Sequence, residues 1–128
     1  MNNNRYDGMW YQDYQHGKGT MYYYNGDLYE GDWINDKREG QGTYVWKNGS
    51  KYIGSWKDDK KNGEGTLVWN DGCKYDGQWK NDVRDGKGTF EYANGDKYVG
   101  DWKEDMQHGK GIYFFHTGDR YERFLCAG

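Results

Sequence analysis

Three histidines, two cysteines and a recurring aspartate are the side chains of this sequence with the means for acid–base, nucleophilic or metal chemistry. Such chemistry needs groups that converge within hydrogen-bond reach. Their spacing argues against convergence. The sequence repeats every 23 residues, and His16 and His108 fill the same position four periods apart. If each period is two strands at about 4.8 Å each, that is on the order of 40 Å. His116 stands alone in its position. Cys73 and Cys126 fall at different points of the period, roughly 20 Å or more apart on the same geometry, whereas a disulfide needs Cα atoms within about 7 Å. Asp13, Asp36, Asp59, Asp82 and Asp105 form one column. Calcium takes about 6–8 oxygens from a tight loop, and one carboxylate per ~10 Å of sheet is too sparse. The sequence has no Ser/His/Asp constellation, no metal-ligand spacing and no phosphate-cradling glycine loop before a helix. The expectation is a non-enzymatic chain with no catalytic residue, cofactor or metal. The aspartates are read as turn residues that tolerate left-handed backbone and line one edge with negative charge.

The elements that carry these residues follow from the period itself. Tyr recurs at 6, 29, 52, 75 and 98, and Trp four residues later at 10, 33, 56, 79 and 102. A glycine lies between them at 8, 31, 54, 77 and 100. A Gly-x-Gly pair recurs at 17/19, 40/42, 63/65, 86/88 and 109/111, and a further glycine at 26, 49, 72, 95 and 118. A fixed period of this length marks a repeat architecture. The mean hydropathy of −1.39 would ordinarily suggest disorder. Against that, aromatics make up 20% of the chain and 20 of its 21 glycines hold register.

Tyr6-Asp7-Gly8-Met9-Trp10 alternates with period 2 and reads as a strand. A six-residue polar segment, Tyr11 to His16, separates it from an aromatic-rich second strand, Gly17 to Tyr24. Asn25-Gly26 then predicts a type I′ hairpin turn. The fold expected is all-β, an antiparallel meander of about eleven strands, roughly 50 Å long at ~4.8 Å per strand. Tyr, Gly and Trp of the first strands share a face with two second-strand columns, and Thr, Lys, Asp, Glu and Gln occupy the other. The glycines are expected to clear space for the neighbouring Trp ring to lie flat, making a core from a single layer.

The pattern Tyr-x-Gly-x-Trp, Gly-x-Gly about seven residues on, then Asn/Asp-Gly resembles the MORN repeat (membrane occupation and recognition nexus). The resemblance covers residues 6–28, 29–51, 52–74, 75–97 and 98–120, with 1–5 as an N-terminal tail. Residues 121–128 read as a partial sixth repeat, in which Arg123 and Leu125 replace Gly and Trp, and serve as a C-terminal cap. Where the family often has glycine three residues after the Trp, this chain has the aspartate column. The resemblance implies a twisted single-layer sheet with an aromatic groove. Family members act mostly as scaffolds and protein-binding modules. Several sit in cytoskeletal, ciliary or cell-division structures, and some are appended to enzymes such as lipid kinases and lysine methyltransferases. Lipid binding has also been attributed to the family.

The candidate site is therefore a face. The first-strand Tyr and Trp are expected to be consumed in the core. The second-strand columns, Met21, Tyr44, Leu67, Phe90 and Tyr113 with Tyr23, Trp46, Trp69, Tyr92 and Phe115, are harder to bury in one layer. A contiguous exposed apolar patch marks an interaction site, so these ten are expected to hold a protein partner, a helix or peptide, or a second copy of the chain. The alternative is a membrane-surface tether binding acidic phospholipids through Lys51, Lys74, Lys97 and Arg120 and through Lys57, Lys80 and Lys103. Interspersed acids weaken that reading, since membrane attraction needs uncompensated basic clusters. A regulatory module of an enzyme complex is a further alternative. Net charge −3, from 18 basic and 21 acidic residues, excludes a nucleic-acid footprint. No apolar run is long enough for a membrane helix, and Met1 to Arg5 lacks a signal peptide's apolar region. A cytoplasmic location, associated with cytoskeleton or cilium, is expected.

Overall fold

The computed structural model describes residues 4–125, with side chains described through Arg120. The chain forms one eleven-stranded antiparallel sheet whose spatial order is the sequence order. The strands are β1 (Arg5–Tyr11), β2 (Tyr14–Tyr22), β3 (Leu28–Ile34), β4 (Lys37–Val45), β5 (Lys51–Lys57), β6 (Lys60–Val68), β7 (Lys74–Lys80), β8 (Val83–Glu91), β9 (Lys97–Lys103), β10 (Met106–Phe114) and β11 (Arg120–Leu125). Two residues read as part of the N-terminal tail are placed by the sheet. Arg5 opens β1, and Asn4 Oδ1 accepts the Tyr24 N–H at 2.8 Å. The partial sixth repeat supplies β11, paired with β10 from Arg120↔Phe114 to Leu125↔Gly109. Cys126, and with it the expected cysteine separation, lies outside the described residues.

The two connections of each repeat exchange the roles expected of them. The polar segment is no six-residue bend: β1 and β2 run into it and leave only Gln12-Asp13 as a turn. Both residues have positive φ, 48° and 67°, the signature of a type I′ hairpin. Asn35-Asp36, Asp58-Asp59, Asn81-Asp82 and Glu104-Asp105 repeat it. At Asn25-Gly26 only the glycine has positive φ, 101°. There Gly26 N–H donates to Tyr23 O and Tyr23 N–H to Asp27 O, each at 3.0 Å. That is a type I turn closed by a glycine bulge, in a three-residue loop. Tyr23, Trp46, Trp69, Tyr92 and Phe115 consequently sit at the first position of turns, just past the strand ends.

Gly8, Gly19, Gly31, Gly42, Gly54, Gly65, Gly77, Gly88, Gly100 and Gly111 stand opposite one another in register, one per strand from β1 to β10. A methyl group on Gly65 would lie 2.1 Å from the Tyr52 hydroxyl oxygen and 2.4 Å from its ring carbon Cζ. The same contact recurs at Gly19, Gly42, Gly88 and Gly111 with the tyrosine of each repeat. The ring lying over the glycines is therefore tyrosine, where tryptophan was expected. Tyr is the better fit because its tip has a partner: Tyr52 Oη donates to Ser55 O at 2.9 Å, back on its own strand. The first glycine of each Gly-x-Gly pair has a separate task. Gly63, with φ 97°, sits in the bulge where the β5–β6 register shifts between Gly54 and Trp56.

The core is a zipper of rings on one face. Tyr29, Tyr52, Tyr75 and Tyr98 are 0% exposed, with Trp33, Trp56, Trp79 and Trp102 almost as buried. Each Trp meets its own Tyr and that of the preceding repeat edge to face, as Trp56 does Tyr52 at 5.2 Å and Tyr29 at 5.4 Å. This is the geometry aromatic quadrupoles prefer. Trp56 Nε1–H donates to Gly42 O at 3.1 Å, tying each repeat to the one before it. Trp10, in the first repeat, is 58% exposed.

Candidate binding face

The second-strand side chains cover one end of this zipper. Met21, Tyr44, Phe90 and Tyr113 are half-buried, as are Tyr23, Trp46, Trp69 and Tyr92. Phe115 is 41% exposed and Leu67 only 7%. Along the row Tyr23 stacks on Tyr44 at 5.7 Å and Tyr44 meets Trp46 at 4.7 Å. The contacts resume with Trp69–Phe90 at 5.3 Å and run through Tyr92 and Tyr113 to Phe115. Between Trp46 and Trp69 stands Leu67, and there a cleft of about 310 Å³ opens, lined by Trp46, Asn48, Ser50, Lys61, Leu67 and Trp69.

The position just after each turn glycine matches the ring it faces one repeat on. Asp27 Oδ2 accepts the Tyr44 hydroxyl at 2.7 Å, and Asp96 Oδ2 accepts that of Tyr113 at 3.0 Å. Where the ring has no hydroxyl the acid is gone: Ser50 precedes Leu67 and Cys73 precedes Phe90. Burial, reinforced by the bond to Asp27, pushes the Tyr44 phenol pKa up. Asp96 also accepts the His116 ring Nδ1 at 2.9 Å and its backbone N–H at 2.8 Å. Those bonds, the His116 ring first, hold its carboxyl at about 2.

A row of cations, unforeseen from the sequence, packs against the rings of this same face. Arg38 lies 4.8 Å from the Trp56 ring centre and 5.3 Å from that of Tyr44. Lys61 lies 5.2 Å from Trp79, and Arg84 4.7 Å from Trp102. These are cation–π distances. The signal in the sequence is that basic residues fill this position in the three middle repeats, although the columns holding more lysines lie elsewhere. The aspartate column serves this row. Asp59 Oδ1 accepts Arg38 N–H at 2.8 Å and Nε–H at 3.1 Å, while Asp59 O accepts Nη2–H at 2.9 Å. Asp36, Asp82 and Asp105 cap the backbone N–H of Gln15, Lys61 and Arg84 in the same way, each at 2.8 Å. Each carboxylate thus staples its turn to the preceding repeat.

The lysine columns lie on the other, polar face. Lys74 and Lys97 both approach Glu91, at 3.8 and 3.6 Å. Lys51, Lys57, Lys80, Lys103 and Arg120 are exposed. The histidines do not converge: His16 packs on Tyr11 at 5.4 Å, and His116 pairs with Asp96. Among the described residues no group of three or more His, Cys, Asp or Glu side chains could hold a metal ion.

Comparison with protein families matches the MORN repeat five times, at residues 6–28, 29–51, 52–74, 75–97 and 98–120. Comparison with curated proteins returns no significant match. The MORN repeat is a non-catalytic type found in protein-binding and membrane-associated scaffolds. With a row of Tyr rings over glycines and five matched repeats spanning nearly all of its length, the chain belongs to the MORN-repeat family.

Proposed function

We propose that this chain is a non-enzymatic scaffold that holds a protein partner, or a second copy of itself, on its aromatic face. The observation that carries the reading is the half-buried row of rings, Tyr23 to Phe115, bordered by the Arg38, Lys61 and Arg84 cations on the same face. Tyr, Trp and Arg are the residues that dominate binding energy when a partner desolvates them. The row is laid on a rigid sheet, so little ordering entropy is lost on binding. The site on this reading is Met21, Tyr23, Tyr44, Trp46, Leu67, Trp69, Phe90, Tyr92, Tyr113 and Phe115. A cytoplasmic place in a cytoskeletal or ciliary assembly is the setting proposed.

Double substitution Trp46→Ala and Trp69→Ala should remove bound partners in affinity isolation from source-cell extract, or dissociate a dimer in size-exclusion chromatography with light scattering. Circular dichroism should show the sheet retained. An unchanged partner set and mass would refute the proposal. The membrane-tether alternative predicts sedimentation with phosphoinositide vesicles that weakens with added salt. It has less support, because Lys74 and Lys97 share Glu91 and the remaining cations stand among acids.

A further inference from the structure

The five repeats act as controls for one another, and the second and third depart from the others at three positions that meet in one place: Ser50 in the second, Lys61 and Leu67 in the third. Leu67 stands where repeats two, four and five carry Tyr44, Phe90 and Tyr113. Ser50 stands where Asp27 and Asp96 hold phenols, and Lys61 stands between Arg38 and Arg84 in the cation row. All three line the cleft of about 310 Å³ between Trp46 and Trp69. The lost ring opens the space, and the lost acid removes a negative charge from its wall.

The third departure changes what the cation offers. Arg38 and Arg84 each spend two side-chain hydrogen bonds on the aspartate of the next repeat, at 2.8–3.1 Å. The Lys61 ammonium lies 3.7 Å from Asp82 Oδ1, beyond hydrogen-bond range. Its side chain is only 15% exposed. Lys61 thus keeps only a loose ion pair with Asp82 and its contacts with the Trp46, Tyr52 and Trp79 rings, and its ammonium is left able to take a second anion at the cleft. Burial pushes the Lys61 pKa down, and Asp82 and Asp105 act against that shift while Arg38 adds to it.

We propose that this cleft takes the C-terminal residue of a partner polypeptide, with its apolar side chain between Trp46 and Trp69 and its carboxylate on Lys61. The inference rests on the protein-binding reading above and names what the face would recognise. Tryptophan and leucine walls with one loosely paired cation suit a carboxylate carried on a short apolar group. A volume of about 310 Å³ is at the small end for ligand pockets, which suits one side chain and not a long acyl chain. Asn48 and Ser50 provide polar groups for a peptide main chain at the cleft wall.

The test is calorimetric and tryptophan-fluorescence titration with the acetylated tripeptide Gly-Gly-Leu, once as the free acid and once as the C-terminal amide. Saturable binding of the acid is expected, about tenfold or more tighter than the amide, as loss of a charged hydrogen bond dictates. Lys61→Met and Leu67→Phe should each weaken the acid about tenfold or more. Leu67→Phe copies the ring at Phe90 and so keeps the repeat's own packing, which circular dichroism checks. Equal binding of acid and amide, no binding of the acid, or tighter binding of hexanoate than of the tripeptide acid would each overturn the inference. Partners lost in the Trp46→Ala, Trp69→Ala protein but retained by both Lys61→Met and Leu67→Phe would overturn it while leaving the scaffold reading in place.

Discussion

Glycine does different work at different points of each repeat, and an added methyl group distinguishes them. At Gly65 the methyl would enter the Tyr52 ring, 2.1 Å from its hydroxyl oxygen. That ring is fully buried and hydrogen-bonded at its tip, so it cannot swing aside. At Gly49 nothing lies within 4 Å, but φ is 98°. Gly65→Ala should therefore cost about 3 kcal/mol or more of stability by overpacking, and Gly49→Ala about 1 kcal/mol by backbone strain. Urea unfolding measures both, and equal costs would refute the ring-over-glycine packing. The period made every one of these glycines visible in the sequence. It could not tell which ring covers them, because Tyr and Trp share a face and spacing alone does not say which one folds back along its own strand.

At the scale of elements, side chains of one repeat satisfy the turns of the next. Asp27 Oδ1 accepts the Lys47 N–H at 2.9 Å, Ser50 Oγ accepts that of Asn70 at 3.0 Å, and Asp96 Oδ1 accepts that of His116 at 2.8 Å. The Asp96 carboxyl is held at about 2, below its ordinary 3.8. A carboxyl that binds its proton more weakly when folded stabilises the fold above its unfolded pKa and loses that contribution as pH falls through its folded one. The stability deficit of Asp96→Asn should thus be full near neutral pH, shrink below about pH 4, and be lost only below about pH 2. Thermal unfolding of both proteins across that range tests it, and a deficit that does not change with pH would contradict the assignment. The sequence carried the strands but exchanged the two turns. Asn-Gly is a strong hairpin signal by local preference, yet the type I′ geometry went to Gln12-Asp13 and its equivalents. There the Asp carboxylate reaches the preceding repeat, a long-range bond that no local pattern reveals.

At the scale of the molecule, each strand pairs only with its sequence neighbours, so the array is quasi-one-dimensional and its stability is a sum over adjacent repeats. Interior repeats are held from both sides. Trp56 is 4% exposed and Trp10 58%. Amide hydrogen exchange should accordingly be slowest in β5 to β7 and fastest in β1 and β2, since local opening is governed by the contacts that must break. Uniform protection along the chain would mean that the sheet opens as one unit. The all-β array and its strand number were legible from the 23-residue period together with the alternation and turn pairs inside each unit. The cleft between the second and third repeats was not. Leu67 passed in the sequence as one more apolar residue of its column, and only the absence of its ring between Trp46 and Trp69 gives it meaning.

The Tyr–Trp zipper also has an optical consequence. Tyr29, Tyr52 and Tyr75 each have two indoles with ring centres 5.0–5.5 Å away. At such separations light absorbed by a phenol passes to an indole before it can be re-emitted. The intact array should glow as tryptophan alone, and the violet edge of tyrosine emission should emerge only where repeats have come apart. The protein carries its own label for the integrity of its stack.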